Sequence, residues 1–273
     1  MIDKKATCKL KLRRSDLSIL IAIVVLGLTA ALSYFFLDAR IISRLCQGPN
    51  NWHNNDWVEA FKYLGKTWVP IWLLLVWIRV SNRLRPALTG LLALLLLIPI
   101  VPPLKVLVGR PRPREVIAAS SGAQENNGLD QSLSFPSGDT ATVFAVATAL
   151  ACFVRWPWIL ILFTAASGIG LLRVTVLAHY PSDVCVGAAI GIFSGWLALQ
   201  IDRRWVSLES PRFNWCRGTA VLGVILIPLL IGLFEGVNDL LIFLKTYGVL
   251  TAGIYLVARV VAWSKRLGKP AAE

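Results

Sequence analysis

Charged residues are scarce in this sequence. They make up 16% of the 273 residues, against about 25% in soluble domains, whereas hydrophobic types reach 56% and the mean hydropathy is +0.65. These values exclude an ordinary soluble globular domain. The apolar residues stand in long blocks without a short repeat period, and glycine and proline are near average usage, which excludes collagen, disordered chains and repeat solenoids.

Residues that bind metals or form disulfide frameworks are also few. The five cysteines are scattered without C-x-x-C spacing, and there are only two histidines. We therefore expect no metal and no cofactor. Acidic residues number 15 against 28 Lys and Arg, but the cations are dispersed along the chain rather than gathered in one patch. The predicted partners are membrane lipids, not nucleic acid.

Eight predominantly apolar blocks are long enough to be membrane-spanning helices, because a hydrocarbon core of about 30 Å needs about 20 apolar residues. The sequence therefore predicts an all-α, polytopic membrane helical bundle. The blocks lie at residues 17–37, 66–82, 86–104, 138–154, 157–178, 183–201, 218–234 and 247–264. The first block has 21 uncharged residues, longer than a typical signal-peptide core, so we expect an uncleaved anchor.

The distribution of cations predicts the orientation in the membrane, since Lys and Arg accumulate in short cytoplasmic loops. With the N-terminus inside, 18 of the 28 cations are cytoplasmic, and five of the remaining ten belong to the motif clusters described below. We therefore expect a multi-pass protein of the plasma (inner) membrane with both termini cytoplasmic and the clusters on the periplasmic or extracellular side. Segment 50–66 is predicted to be an amphipathic helix on the outer surface, with His53 structural or solvent-facing.

The first cluster, segment 105–114, carries four cations at the end of the third block. One interpretation is snorkelling of long side chains to lipid headgroups. The other is an anion site, because prolines on both sides of Arg112 stiffen the backbone and a guanidinium presents a planar fork of donors that suits phosphate.

The second cluster is segment 134–140, immediately before the fourth block. Pro136 is placed like the first residue of a helix, so the amides of Ser137 and Gly138 would have no acceptor within the helix. Helix starts of this kind bind phosphate. The alternative is an ordinary capped helix start.

The third cluster contains Arg173, His179 and Asp183 at the end of the fifth block and the start of the sixth. They could be unrelated interfacial residues, but ionisable groups at membrane depth are costly and usually functional. Pro181 places His179 outside the sixth helix and Asp183 in its first turn. A carboxylate there can reach one imidazole nitrogen and leave the other as a nucleophile.

These motifs, K-x6-R-P, P-S-G and R-x5-H-x3-D, occur in this order at the ends of apolar blocks and resemble those of the type 2 phosphatidic acid phosphatase family of integral membrane enzymes. They fall on Lys105, Arg112 and Pro113, on Pro136, Ser137 and Gly138, and on Arg173, His179 and Asp183. The resemblance implies a six-helix phosphatase core within residues 1–205. Residues 206–273 are then a basic loop and about two further spans.

The resemblance also implies a covalent mechanism without metal. His179 would attack phosphorus, Asp183 would orient and stabilise it, and water would hydrolyse the phosphohistidine. The phosphate of a lipid substrate would be bound by Lys105, Arg112, Arg173 and the amides of Ser137 and Gly138.

Two positions depart from the family pattern. Leu172 replaces a serine, and Asp139 replaces the histidine that protonates the leaving group. A carboxyl group has an ordinary pKa of about 3.9, and the first turn of a helix and nearby cations favour its charged form, so Asp139 would be a poor acid. A lipid diphosphate such as undecaprenyl diphosphate, whose leaving group needs no acid, is therefore the expected substrate.

Alternative functions stay open on the sequence. Within the same fold they are a phosphatase for phosphatidic acid or phosphatidylglycerol phosphate and a lipid-to-lipid phosphotransferase. A non-catalytic lipid-binding or transport protein is a different class, which the replacement at Asp139 suggests. The pair His179 and Asp183 disfavours it, because binding alone does not need an oriented imidazole.

Overall fold

The computed structural model describes residues 14–47, 68–81, 85–120 and 133–205, and within these ranges the chain forms helices and no strands. The expected all-α membrane bundle is confirmed. The helices are α1 (Arg14–Leu32), followed through a π-helical turn (Ser33–Leu37) by α2 (Asp38–Gln47), then α3 (Trp68–Ser81), α4 (Arg85–Leu95), α5 (Val101–Val108), α6 (Pro113–Ser120), α7 (Gly138–Ala151), α8 (Trp156–Thr175) and α9 (Pro181–Trp205). Blocks 218–234 and 247–264, segment 50–66 and His53 lie outside the described residues.

Three of these helical stretches are long and apolar enough to cross a membrane: Asp16–Cys46, Trp156–Thr175 and Pro181–Arg203. Helices α4 and α7 are apolar but shorter. Large apolar side chains of α1 and α8 are exposed on the outside of the bundle, as at Leu28 and Leu171. Such a surface suits lipid tails, because the helices satisfy their backbone hydrogen bonds internally.

The third predicted block is not one continuous helix, so that prediction is wrong. Helix α4 ends at Leu95, residues 96–100 form a turn, and α5 begins at Val101. Proline has no N–H to donate and clashes with the preceding helical turn, so Pro99 ends the first helix. Pro102 is accepted because the first residues of a helix need no amide donor. The uninterrupted apolarity of the block conceals this bend.

Helices α7 and α9 form the most extensive contact of the bundle and run parallel. Gly187, Gly191 and Gly195 of α9 lie in turn against Ser137, which immediately precedes α7, and against Ala141 and Ala145 within α7. A Cβ at Gly187 would lie 2.5 Å from the Ser137 carbonyl oxygen, and one at Gly195 would lie 2.6 Å from that of Ala145. Small residues at this spacing let two membrane helices approach backbone to backbone. We call these three residues the glycine column.

Helix α1 runs antiparallel to α9 and is fixed to it at both ends. At one end Asp16 accepts hydrogen bonds from the indole Nε1 of Trp196 and the amide of Gln200, each at 3.0 Å. At the other end Asp38 contacts Ser182. The second end is the one where α7 and α9 begin and α5 and α8 finish, so it gathers the three motif clusters.

Candidate active site

The motif clusters meet at one cavity of about 270 Å³. Five predicted site residues line it, namely Lys105, Arg112, Gly138, Asp139 and His179, together with Thr142 and an apolar wall formed by Leu94, Leu97, Ile98, Val101 and Pro102. The apolar wall comes from the bend between α4 and α5. The cavity thus has a charged part and an adjoining apolar part.

The other three predicted site residues, Ser137, Arg173 and Asp183, are not among the lining residues. Each lies beside one that is. Ser137 precedes Gly138, Arg173 contacts Asp139, and Asp183 approaches His179.

His179 is 3% exposed, and its Nδ1 lies 2.6 Å from the backbone carbonyl oxygen of Ser134. A carbonyl can only accept, so Nδ1 carries the proton and donates it to this bond. Nε2 is then the nitrogen with a lone pair. The hydrogen bond therefore sets the tautomer that a nucleophilic imidazole requires.

The expected direct hydrogen bond between His179 and Asp183 is absent, and that prediction is wrong. Their closest approach, Nδ1 to Oδ2, is 3.9 Å, too long for a hydrogen bond. Asp183 Oδ2 instead accepts from the hydroxyl of Ser134 and from the amide of Tyr180 at 2.9 Å. Because Ser134 presents its hydroxyl to Asp183 and its carbonyl to His179, Ser134 connects the carboxylate to the imidazole.

Electrostatics keep the imidazole neutral. Burial, reinforced by the positive charges of Arg112 and Lys105, lowers the pKa of His179 from 6.5 to about 3, against the opposing hydrogen bond to Ser134. Burial together with the charge of Arg112 also lowers the pKa of Lys105, whose ammonium donates to the carbonyl oxygen of Leu133 at 2.7 Å. An unprotonated imidazole therefore lies beside groups that favour an anion.

The start of α7 differs from its prediction. The helix begins at Gly138, and Ser137 is its N-cap, with Oγ accepting from the amide of Thr140, so Pro136 precedes the helix. The amide of Ser137 donates to the backbone carbonyl of Asp183 at 3.1 Å. It is therefore not available to phosphate, contrary to expectation, because the glycine column brings Ser137 against α9. Gly138 stays in the cavity wall.

Asp139 and Arg173 form an ion pair, with Arg173 Nη2 2.6 Å from Asp139 Oδ2. The Asp139 side chain is 28% exposed and that of Arg173 10% exposed, so the carboxylate is the partner nearer to the cavity. Arg173 was expected to contact phosphate directly. In the structure its charge is instead shared with Asp139.

Three further residues at this end of the bundle, Asp38, Arg110 and Ser134, were not predicted to belong to the site. Arg110 was considered only as one cation of the first cluster, and no role was assigned to Asp38 or Ser134. Arg110 pairs with both Asp38 and Asp183, each at 2.7 Å. An acid at the end of an apolar block, facing a loop with several arginines, was the available signal.

Comparison with known proteins identifies the family. The sequence profile of the PAP2 superfamily matches residues 86–207. The lipid A 4'-phosphatase of Bacteroides thetaiotaomicron is 32% identical over 161 residues, an alignment that covers 54% of this chain and 71% of that protein. The chain belongs to the PAP2 superfamily. The resemblance carried by the motifs is confirmed, and this PAP2 protein is an integral membrane protein.

Two further similarities are narrower. The lipid A 1-phosphatase of Porphyromonas gingivalis is 45% identical over 72 residues, which are 25% of this chain and 16% of that protein, so the chain matches only a small part of it. The crystal structure of the PAP2 type phosphatidylglycerolphosphate phosphatase from Bacillus subtilis aligns with a TM-score of 0.50 at 19% identity and covers 71% of this chain and 98% of that one. This PAP2 protein therefore has the same helical fold.

Proposed function

We propose that this PAP2 protein is a lipid phosphatase that removes a phosphoryl group from a membrane lipid through a phosphohistidine at His179. One observation carries the proposal: a single cavity joins a neutral imidazole and two cations to an apolar wall. The cations match a phosphate headgroup, and the wall matches the first part of a lipid chain. Neither an apolar pocket nor a cationic surface alone would combine these properties.

The reaction begins when the lone pair on His179 Nε2 attacks phosphorus and the bond from phosphorus to the leaving oxygen breaks. Lys105 and Arg112 neutralise charge on the equatorial oxygens, which is the main requirement of phosphoryl transfer. Water then attacks phosphorus, the nitrogen–phosphorus bond breaks, and inorganic phosphate leaves. Asp183 holds the imidazole in place through Ser134. The mechanism uses no metal or cofactor.

Asp139 supports a preference for substrates with good leaving groups. Its carboxylate is paired with Arg173, and an ionised carboxylate cannot protonate a leaving oxygen. A lipid monophosphate expels an alkoxide, whose conjugate acid has a pKa near that of water, about 15.7. A lipid diphosphate expels a phosphate monoester, whose last pKa is about 6 by analogy with phosphorylated side chains. We therefore propose an isoprenyl diphosphate such as undecaprenyl diphosphate as the preferred substrate.

The proposed site of action is the periplasmic or extracellular face of the plasma membrane, supported by the cation bias of the opposite loops. The relatives bear the names of lipid A phosphatases. A lipid A phosphate therefore belongs in the substrate panel beside the diphosphate.

The test is phosphate release by purified protein in detergent from undecaprenyl diphosphate, lipid A, phosphatidic acid and phosphatidylglycerol phosphate. We expect turnover by the wild type and none by His179→Ala, with the diphosphate preferred. Equal turnover by His179→Ala would refute the nucleophile. The same assay with a substrate labelled at its phosphoryl group distinguishes a phosphotransferase. Transfer of the labelled phosphoryl group to a second lipid, without release of free phosphate, would identify one.

Asp139→His tests the leaving-group argument. The substituted imidazole can donate a proton near neutral pH, so monophosphate turnover should rise much more than diphosphate turnover. The quantity compared is the ratio of the two turnover numbers in wild type and variant. A wild-type ratio that favours the monophosphate and is unchanged by the substitution would contradict the argument.

A further inference from the structure

Asp38 is a buried carboxylate at the point where α1 passes into α2. It is 3% exposed and accepts hydrogen bonds from the hydroxyl of Ser33 at 2.8 Å and the amide of Ser182 at 3.1 Å. The Asp38 amide donates to the carbonyl of Ser33, five residues earlier, which closes the π-helical turn. Such turns add one residue to a helix and often mark functional sites. Here the turn carries Asp38, which faces α9.

Arg110 joins this carboxylate to the candidate active site. Its Nη2 donates to Asp38 at 2.7 Å and its Nη1 to Asp183 at 2.7 Å. The guanidinium carbon lies 3.6 Å from the ring centroid of Tyr180 and 4.9 Å from that of Tyr34. A planar guanidinium can serve two carboxylates and stack on aromatic faces at once, which an ammonium cannot do.

The arrangement places one cation between two buried anions. Removing one member of a buried ionic network leaves the others without compensation, which is strongly unfavourable. Without Asp38, Arg110 would keep its hydrogen bonds to Asp183 and Ser182 and its aromatic contacts, but it would lose one of its two anionic partners and could change its position. Asp183 would then lose the fixed donor that holds one of its oxygens.

The network continues to the nucleophile. Asp183 accepts from the Ser134 hydroxyl, the Ser134 amide donates to the carbonyl of Arg110 at 2.7 Å, and the Ser134 carbonyl accepts from His179. A displacement of Arg110 would therefore move Ser134 in two ways, through the backbone hydrogen bond between the two residues and through Asp183. Asp38 itself precedes the family match, which begins at residue 86.

We propose that Asp38 and Arg110 are positioning residues for phosphoryl transfer, so that α1 contributes to the reaction and is more than a membrane anchor. The proposal rests on the function proposed above. Asp38 and Arg110 act through Asp183 and Ser134 on the orientation of His179. The hydrogen bonds described above lead from Asp38 to His179, whereas Lys105 and Arg112 would bind the phosphate. We therefore expect turnover to change much more than substrate affinity.

The chain offers a matched control at the other end of α1. Asp16 is also buried and also fastens the helix to α9, through Trp196 and Gln200. Asp16→Asn and Asp38→Asn therefore weaken the same helix contact at opposite ends. A purely structural role predicts similar losses of melting temperature and similar activities of the folded protein.

The experiment measures kcat and KM for both variants on the best substrate of the panel, with the melting temperature recorded for each. We expect Asp38→Asn to lower kcat by about 10- to 100-fold and to change KM little. The magnitude is taken by analogy from metalloenzymes, in which removal of a residue that hydrogen-bonds to a metal ligand costs about this much activity. Asp16→Asn should keep the wild-type kcat. Equal kcat values for the two folded variants would overturn the proposal.

A double-mutant cycle separates one shared path from two independent effects. Combining Asp38→Asn with Arg110→Gln should lower kcat little beyond the worse single change, whereas Asp16→Asn with Arg110→Gln should show only the Arg110 effect. Multiplicative losses for Asp38 and Arg110 would refute the shared path. If Asp38→Asn does not fold, Ser182→Ala takes its place, because it removes one hydrogen bond to Asp38. A wild-type kcat for Ser182→Ala would then refute the proposal.

Activity of the wild type keeps the two proposals distinguishable. If the wild type releases phosphate from no lipid of the panel, the proposed function fails and this inference fails with it. If the wild type and Asp16→Asn are active and Asp38→Asn matches them, only this inference fails.

Discussion

His179 should remain unprotonated throughout the physiological pH range. Burial and the charges of Arg112 and Lys105 lower its pKa from 6.5 to about 3. At 1.36 kcal/mol per pKa unit, this shift disfavours the imidazolium by about 5 kcal/mol. The acid limb of kcat/KM should therefore not lie near pH 6.5, and the nucleophile should be available at pH 5.

The same shift predicts how stability depends on pH. Below pH 6.5 the unfolded chain binds a proton at this imidazole and the folded protein does not, so the free energy of unfolding decreases as the pH falls from 6.5 towards 3. Between pH 6.5 and 5.0 the loss from this group is about 2 kcal/mol. His179→Gln should lack this part of the pH dependence.

The assay is an NMR titration with ¹³C-labelled histidine in detergent micelles. The chain has two histidines, so His53→Gln leaves His179 as the only imidazole. We expect no titration midpoint between pH 4.5 and 8 in the folded protein and a midpoint near 6.5 after denaturation. Arg112→Gln should raise the pKa of His179, because it removes a neighbouring positive charge.

Two results would refute this reasoning. One is a midpoint near pH 6.5 in the folded protein. The other is an identical pH dependence of the unfolding free energy in wild type and His179→Gln.

Three further predictions concern packing, orientation and metal requirement. Gly191→Ala should destabilise the protein by about 1–3 kcal/mol, because its Cβ would overlap the Ala141 carbonyl. Gly168→Ala is the control, since the space around Gly168 is open, and it should not destabilise the protein. Equal melting temperatures of the two variants would contradict the packing of α7 against α9. For the orientation, each variant carries a single cysteine, and an impermeant maleimide is applied from outside the cell. Ser120→Cys should be labelled directly, and Cys152 should be labelled only after permeabilisation. The reverse pattern would show the opposite orientation. Chelator should leave phosphate release intact and vanadate should inhibit it, whereas activity that strictly requires added magnesium would contradict the mechanism.

The convergence of the three clusters could be predicted from the sequence. Each cluster lies at the end of an apolar block, and consecutive spans alternate direction, so motifs separated by two spans return to the same face. Lys105, Arg112 and His179 could therefore be expected to lie near one another without a structure. The order of the charges and the apolar blocks along the chain is sufficient for this prediction.

The partners of these residues could not be predicted. The acceptor for His179 is a backbone carbonyl, which every residue has, so no residue type indicates it. Asp38 and Arg110 are 72 residues apart and meet only because α1 packs along α9. The bend at 96–100 was missed for a different reason: hydropathy is uniform across it, and Pro99 was read as part of a span.

The glycine column has an electrostatic consequence. Because α7 and α9 run parallel in close contact, their peptide dipoles point the same way and repel each other side by side. Each N-terminus carries about half an elementary positive charge, so the two dipoles together contribute about one charge that no change of pH can remove, which Asp139 and Asp183 in the first turns partly offset. An anion bound at that end relieves the repulsion between the two helices. The close packing of α7 against α9 and the affinity for an anionic ligand are therefore coupled.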